Sequence, residues 1–409
     1  MNAPIVLRLL LLLRFLALLS VATLTACAPQ QQTQSDDASF ELDLNAVLGG
    51  NNTEGYLRAD TPRSFSFPAD HGMHAGFRNE WWYLTGNLET VDGKQFGYQA
   101  TFFNTSFIGD SLDLQNTTTG WQSPRIWMAH VALTDVNGKE HIALERFSRE
   151  NPGLAGAQLN PFKVWLENWS LQSAFINPPE ANGSLQANDS IQANGSLQAN
   201  GFPWQLNIED KAFSISLSLD PLKAPVLQGD RGLSQKSPEA GNASYYYSLT
   251  RIESEGKIVL NGESYPVTGL SWLDREWSTS ALADDQSGWD WFSLQFDDGQ
   301  ELMYYQLRDN SGQTHPNSEG NWTDHNAQQT RITSEAIALL ENKNWLSPTG
   351  ISYTTEWTLK YDGQQWIIKA LLEDQFMDLS VPYWEGAVEI LDADSGEQRG
   401  KGYLEMVRN

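Results

Sequence analysis

The sequence predicts an all-β protein of antiparallel barrels or sandwiches, and three observations carry that reading. Segments such as "FSISLSLD", residues 213–220, set Phe213, Ile215, Leu217 and Leu219 against serines and aspartate, the two-residue period of a half-buried strand. Turn dipeptides recur between apolar runs at Asp92-Gly93, Asn137-Gly138, Asn261-Gly262, Asp298-Gly299 and Asp362-Gly363, where a tight hairpin needs positive φ. Sustained helical patterning is absent, and only "SEAIALLEN", from Ser334, is open to either a helix or a strand. Many short strands without alternating helices belong to barrels or sandwiches, and full closure would remove exposed edges.

The 409 residues suffice for two or three domains. Residues 1–27 read as a secretory leader, with Arg8 in the n-region, a leucine-rich stretch broken by Arg14, and small residues before the only cysteine. Leu24-Thr25-Ala26-Cys27 reads as a bacterial lipobox, so Cys27 is expected to carry lipid and to hold a periplasmic, outer-membrane lipoprotein by its acyl chains. Residues 28–55 begin polar and Gln-rich and read as a flexible tether. A first domain is expected over 56–278 and a second over 279–409, joined where "STSALADDQSG" loses the apolar rhythm. Within the first, "GSLQAN", "DSIQAN" and "GSLQAN" fill 183–200; three polar hexamers are too few for a solenoid and read as an expanded surface loop.

Charge narrows the partners. Removing the leader with Arg8 and Arg14 leaves 26 − 2 = 24 basic against 51 acidic residues, a net charge of 24 − 51 = −27. Such a surface repels phosphate backbones, so nucleic acid is not an expected partner.

The chemistry-bearing residues lie among the tryptophans, 16 in all, which cluster at Trp81-Trp82, Trp121 and Trp127, Trp272 and Trp277, and Trp289 and Trp291. Adjacent residues of a strand face opposite ways, so at most one of Trp81 and Trp82 enters a barrel. Charge is threaded among these rings: Glu80, then Asp274-Arg275-Glu276, then Asp290. Buried carboxylates need partners, and Arg78 and Arg275 are the obvious ones; Glu80 is expected to pair with an arginine near the domain junction. The bland reading is a structural ion pair closing a barrel end. The functional reading is a carboxyl group with raised pKa in an aromatic pocket, acting as a general acid. The six histidines show no metal-site spacing, so no metal is expected. No Gly-x-Ser-x-Gly elbow or Gly-rich nucleotide loop occurs, and no cofactor is expected.

The segments "HAGFRNEWWYLTG", "ASYYYSLTR", "GLSWLDREWSTS", "GWDWFSLQFDDGQELMYYQLR" and "YWEGAVEI", in order from Arg63 to Tyr403, resemble the hydroxyneurosporene synthase (carotenoid hydratase) and AttH-like family. The resemblance implies two tandem lipocalin-like β-barrels, the first a CrtC-type domain. It implies cofactor-free, acid-catalysed hydration of a terminal double bond at a motif Asp-His-Asn-Trp, matched here by Asp274, Arg275, Glu276 and Trp277. Arg275 and Glu276 depart from the motif, and arginine is a poor proton donor near neutrality. Tyr304 and Asp290 are the nearest counterparts of the family's downstream tyrosine and aspartate. The secreted AttH-like branch, often found beside transporter permeases, is the closer match and makes an ABC transporter permease a partner to expect.

Three functions follow. The favoured one is a lipid-anchored lipocalin-type protein binding a long apolar or amphipathic ligand within a barrel, its wall built from Glu80, Trp81, Trp82, Tyr83, Trp289, Asp290, Trp291 and Tyr304. The alternative is a hydratase or hydrolase-like enzyme acting on an unsaturated lipid or carotenoid, with Asp274 or Glu276 as the acid. A carbohydrate-binding β protein is the third.

Overall fold

The computed structural model describes residues 53–107, 109, 123–175, 201–280, 283 and 285–408. The leader, Cys27, nearly all of the tether, Trp121 and the hexamer repeat lie outside the described residues.

The described chain is almost entirely strand, with one 3-10 turn at Ala69–His71. The first sheet holds β1 (Asn79–Glu89), β2 (Gln95–Ser106), β3 (Arg125–Asp135), β4 (Glu140–Arg149), β5 (Ala155–Gln158), β6 (Lys163–Leu166), β7 (Trp169–Ser173), β8 (Trp204–Glu209), β9 (Phe213–Pro221), β10 (Val226–Leu227), β11 (Leu233–Gln235), β12 (Ala243–Leu260) and β13 (Glu263–Ser280). The second holds β14 (Gln286–Phe296), β15 (Glu301–Asp309), β16 (Glu319–Thr323), β17 (Gln329–Thr333), β18 (Ile337–Leu346), β19 (Ser352–Tyr361), β20 (Gln364–Ala370), β21 (Phe376–Met377), β22 (Tyr383–Asp392) and β23 (Gln398–Arg408). Every named pairing is antiparallel. The first sheet runs β4-β3-β2-β1-β13-β12-β9-β8-β7-β6-β5, and the second β17-β16-β15-β14-β23-β22-β20-β19-β18. Each curls around its own core into a near-barrel. Among the described residues no ladder joins the end strands of either path, so closure is by curvature and side chains rather than by backbone pairing.

All five turn dipeptides sit at hairpins. Asn261-Gly262 and Asp362-Gly363 are two-residue loops with both residues left-handed, at φ 54° and 79°, and 47° and 75°. At Asn137-Gly138 the loop is longer and the left-handed residue is Lys139 (φ 55°), which relieves Gly138 of that role. The ambiguous "SEAIALLEN" contributes to β18, paired with β19; its apolar residues fit a pleat rather than a helical stripe.

What positions the site is the way the sheets meet. In β1 the even residues Trp82, Leu84 and Leu88 fill the first core, while Trp81 and Tyr83 point outward into a separate cluster with Trp272, Trp291, Met303, Tyr305 and Tyr403. In β14 Phe292, Leu294 and Phe296 fill the second core, and Trp291 joins the shared cluster. The two curled sheets therefore pack outer face against outer face, and their central strands are buried on both sides. Polar ties hold the contact. Glu301, fully buried, receives Lys223 Nζ at 2.7 Å and Arg251 Nε at 2.5 Å; Asn87 Nδ2 donates to the Gly402 carbonyl at 2.9 Å. Gly97 of β2 faces Ala387 of β22 so closely that a Cβ there would lie 2.7 Å from the alanine methyl. Replacing Gly97 with valine is expected to wedge the sheets apart and to lower stability by about 1–3 kcal/mol in denaturant titrations; an unchanged midpoint would mean the contact is not close-packed.

Candidate functional site

The "SWLDREW" segment of β13 is laced between β1 and β12, which sets what each side chain meets. Asp274 lies between Tyr83 and Ser248, Arg275 between Trp82 and Tyr247, and Glu276 between Trp81 and Tyr246. The two-residue period splits the motif: Asp274 and Glu276 face the second sheet, and Arg275 and Trp277 face the first core.

On the outward side lies a cavity between the sheets, with about 130 Å³ open to the centre of a water-sized sphere, many times the ~10–15 Å³ that one water requires. Its walls are mostly aromatic and apolar: Trp81, Phe103 and Met128 from the first sheet, Trp289, Trp291, Tyr305 and Leu307 from the second. Into it project Asp274, Glu276 and Glu405.

Asp274, 2% exposed, accepts hydrogen bonds from Tyr246 Oη at 2.5 Å, Ser248 Oγ at 2.5 Å and Trp272 Nε1 at 2.7 Å. All three donors are neutral, and no ion pair reaches this carboxyl among the described residues. Burial raises its pKa from 3.8 to about 7 against the pull of those donors, and Glu276 adds to the rise. The folded state thus favours the protonated acid, so the stability it contributes is present below pH 4 and is lost as pH rises through about 7. Glu276 takes the cavity's cation: Lys236 Nζ lies 3.4 Å from Glu276, 3.0 Å from Ser234 Oγ and 3.8 Å from the centre of the Tyr305 ring.

The second sheet supplies its own acid pair. Glu385 and Glu405 stand opposite each other on β22 and β23. Tyr83 Oη donates to Glu385 at 2.5 Å, and Trp289 Nε1 donates to Glu405 at 2.6 Å. Burial, with the Glu405 charge adding to it, pushes Glu385 well above the usual carboxylate range; burial, with the charges of Asp274 and Glu276 adding to it, raises Glu405 to about 7. Asp274 and Glu405 on the cavity wall and Glu385 opposite Glu405 do not all ionise near neutrality.

The inward side of β13 is an ion-pair cage. Arg275, fully buried, donates to Glu80 Oε2 at 2.6 Å, the Gly72 carbonyl at 2.5 Å and the Trp81 carbonyl at 3.2 Å, with its guanidinium 3.7 Å above the Trp82 ring. Glu80 also accepts from Asn104 Nδ2 at 3.1 Å and the His74 backbone at 3.0 Å. Burial alone would raise its pKa, but Arg275 and His74 hold it down to about 2. Trp277 stacks on His74 at 3.7 Å.

The residues expected on one ligand wall are therefore divided by strand parity. Trp81, Tyr83, Asp274, Glu276, Trp289 and Trp291 line the cavity. Trp82, Arg275, Trp277 and Glu80 face the first core. Tyr304 belongs to the second core, and Asp290 is fully buried beneath it, ion-paired with Arg308 at 2.7 Å and Arg408 at 2.5 Å. The expected barrel lumen is filled by side chains in both sheets, and the aromatic-lined cavity lies between them. The residues not anticipated are Tyr246, Lys236, Tyr305, Glu385 and Glu405. "YLEMV", residues 403–407, carried a signal in its lone acid at the middle of an apolar strand. No group of histidine, cysteine and acidic residues suited to a metal occurs among the described residues.

Replacing Arg275 with methionine is expected to lower stability by about 3–5 kcal/mol by stranding Glu80 in the core, and adding Glu80→Gln to recover part of that loss in urea titrations. Equal losses in the single and double variants would mean that the pair does not act as a unit.

Comparison with known proteins adds the following. A family model described as AttH-like matches residues 58–408. A crystal structure described as an AttH of Nitrosomonas europaea is 30% identical, with a TM-score of 0.69, over 85% of this chain and 98% of that one. Kievitone hydratase of Nectria haematococca superposes with a TM-score of 0.59 over 87% of this chain and 98% of its own, at 14% identity, a likeness of fold. No curated protein sequence matches the chain.

Proposed function

This chain belongs to the AttH-like family, and from its cavity we propose an enzyme that hydrates a carbon–carbon double bond of an apolar small molecule held between the two sheets. The observation that carries the proposal is Asp274, a buried carboxyl held by three neutral donors and facing an aromatic, apolar space. Such a group stays protonated near neutrality and acts as a general acid. The Asp274 proton passes to one alkene carbon as the π electrons form the new C–H bond. The cation left on the other carbon lies among the faces of Trp81, Trp289 and Trp291, whose quadrupoles stabilise positive charge. A water oxygen closes the C–O bond, and the proton it sheds restores the Asp274 carboxyl, so the sum is addition of one water.

The preference for a carrier rested on Arg275 standing where the resembling motif has a histidine. Arg275 points away from the cavity, so its identity does not bear on proton donation there. Binding an apolar or amphipathic ligand remains the first step of the proposed reaction. A carbohydrate ligand suits the site poorly, because the surface it offers is mostly apolar and its carboxyls are already bonded within the protein.

The test is incubation with a lipid extract of the native host in ¹⁸O-labelled water, with products read by mass spectrometry. The native chain is expected to yield labelled alcohols at a rate that falls tenfold per pH unit above about pH 7, where Asp274 ionises. Asp274→Asn is expected to lose about 10²- to 10⁴-fold of that rate while still retaining ligand. Unmodified lipid bound equally by both forms, with no ¹⁸O product from either, would make the protein a carrier.

A further inference from the structure

Where Lys236 meets Glu276 on the cavity wall, the polar groups are not all used. Lys236 follows β11 and its backbone is clamped on both sides: its N–H donates to the Asn242 carbonyl at 2.9 Å, and its carbonyl accepts from Gln286 Nε2 at 2.6 Å. The ammonium carries three hydrogens. Ser234 Oγ at 3.0 Å and Glu276 Oε1 at 3.4 Å take two, which leaves the third with ring faces only, Tyr305 with its centre at 3.8 Å and Tyr246 at 5.4 Å. Ser234 Oγ is in turn hydrogen-bonded with Tyr305 Oη at 2.8 Å and Glu319 Oε1 at 3.2 Å, so the second sheet holds the lysine in place. Glu276 leaves the complementary atom unused. Lys236 and Ser244 Oγ both engage Oε1, and among the described residues no donor meets Oε2. Both residues are buried and line the cavity. An N–H and a carboxylate oxygen shut into an apolar space without partners cost free energy. Side by side they match one group, a hydroxyl, which accepts from the first and donates to the second.

We propose that Lys236 and Glu276 form a hydroxyl-binding subsite, and that the ligand of the cavity is a compact hydroxylated alkene. Its size follows from the space: the roughly 130 Å³ open to the centre of a water-sized sphere is close to the ~150 Å³ at which apolar cavities admit a benzene ring. Its layout follows from β13. Glu276 and Asp274 stand two residues apart on one face of the strand, a separation of about 7 Å, which one six-membered ring with a substituent at each end spans. A hydroxyl on Lys236 and Glu276 therefore sets the double bond beside Asp274. The place of the double bond rests on the hydratase reading, whereas the subsite does not. Charge selects the hydroxyl over a carboxylate, because an added anion would meet the Glu276 charge with no free lysine to offset it. The subsite serves one hydroxyl; a ring of them would find the remaining walls mostly apolar.

The subsite is tested by binding, without turnover. Three probes share one frame and differ at one end: 4-methylstyrene, 4-vinylbenzyl alcohol and 4-vinylbenzoate. Each is titrated calorimetrically into the full chain at neutral pH. The alcohol is expected to bind about tenfold tighter than either of the others, the difference that a hydrogen bond to a charged group supports. Lys236→Met combined with Glu276→Leu removes both polar ends at nearly constant bulk, and is expected to abolish the preference while 4-methylstyrene still binds. Equal affinity of the native chain for alcohol and hydrocarbon overturns the subsite, as does failure of all three probes to bind. So does tightest binding of the carboxylate, which would make Lys236 a plain anion site, and so does a preference for the alcohol that survives the double substitution. The ranking in the native chain decides the matter even where the double variant does not fold. Selective binding of the alcohol with no ¹⁸O product keeps the subsite and loses the hydratase; ¹⁸O product from probes bound with equal affinity keeps the hydratase and loses the subsite.

Discussion

The buried pair of Arg275 and Glu80 fixes what the rest of the molecule can be. A guanidinium without solvent contact is tolerable only where a carboxylate and carbonyls meet it, and here Glu80, Gly72 and Trp81 do so inside the first sheet. That requirement pins the register of β13 on β1. A slip of one residue would drive Asp274 and Glu276 into the apolar core and turn Arg275 toward the second sheet. The ion pair thus lies apart from the proposed chemistry: it neutralises the charge on one face of β13 and leaves the other face acidic.

That acidic face becomes a site because the second sheet covers it. Packing outer face on outer face removes bulk water from Asp274, Glu385 and Glu405, and the same burial raises all three pKa values. One cause yields both properties the proposed chemistry needs, an apolar space and acids that keep their protons. The separate ties of Glu301 to Lys223 and Arg251, and of Asn87 to Gly402, hold the sheets in register, so the carboxyls of one face the tryptophans of the other. Neither sheet alone forms this environment.

Much of the fold was legible in the sequence. The alternation of "FSISLSLD" and the turn dipeptides mark β9 and five hairpins because these depend on neighbours along the chain. The parity of Trp81 and Trp82 was legible for the same reason. The location of the cavity was not. Strands such as β1 and β14 are buried on both faces, so their sequences lack the polar side that would announce an exterior, and the aromatic residues read equally well as barrel lining. Asp290 looked like a site residue through its tryptophan neighbours and Tyr304 through the family resemblance, yet one residue of parity turns each into the second core. Glu385 and Glu405 escaped notice because they meet Tyr83 and Trp289 only through the packing of sheets, a contact without sequence periodicity.

The proposed ligand site lies between the sheets and not within either of them. A small alkene carrying a diazirine, bound to the full chain, photolysed and mapped by peptide mass spectrometry, measures this directly. Label on Trp81, Phe103, Trp289 or Tyr305, which line the shared cavity, is the expected result. Label concentrated on inward residues such as Trp127 or Tyr247 of the first core, or Trp357 of the second, would place the ligand inside a sheet and contradict the account.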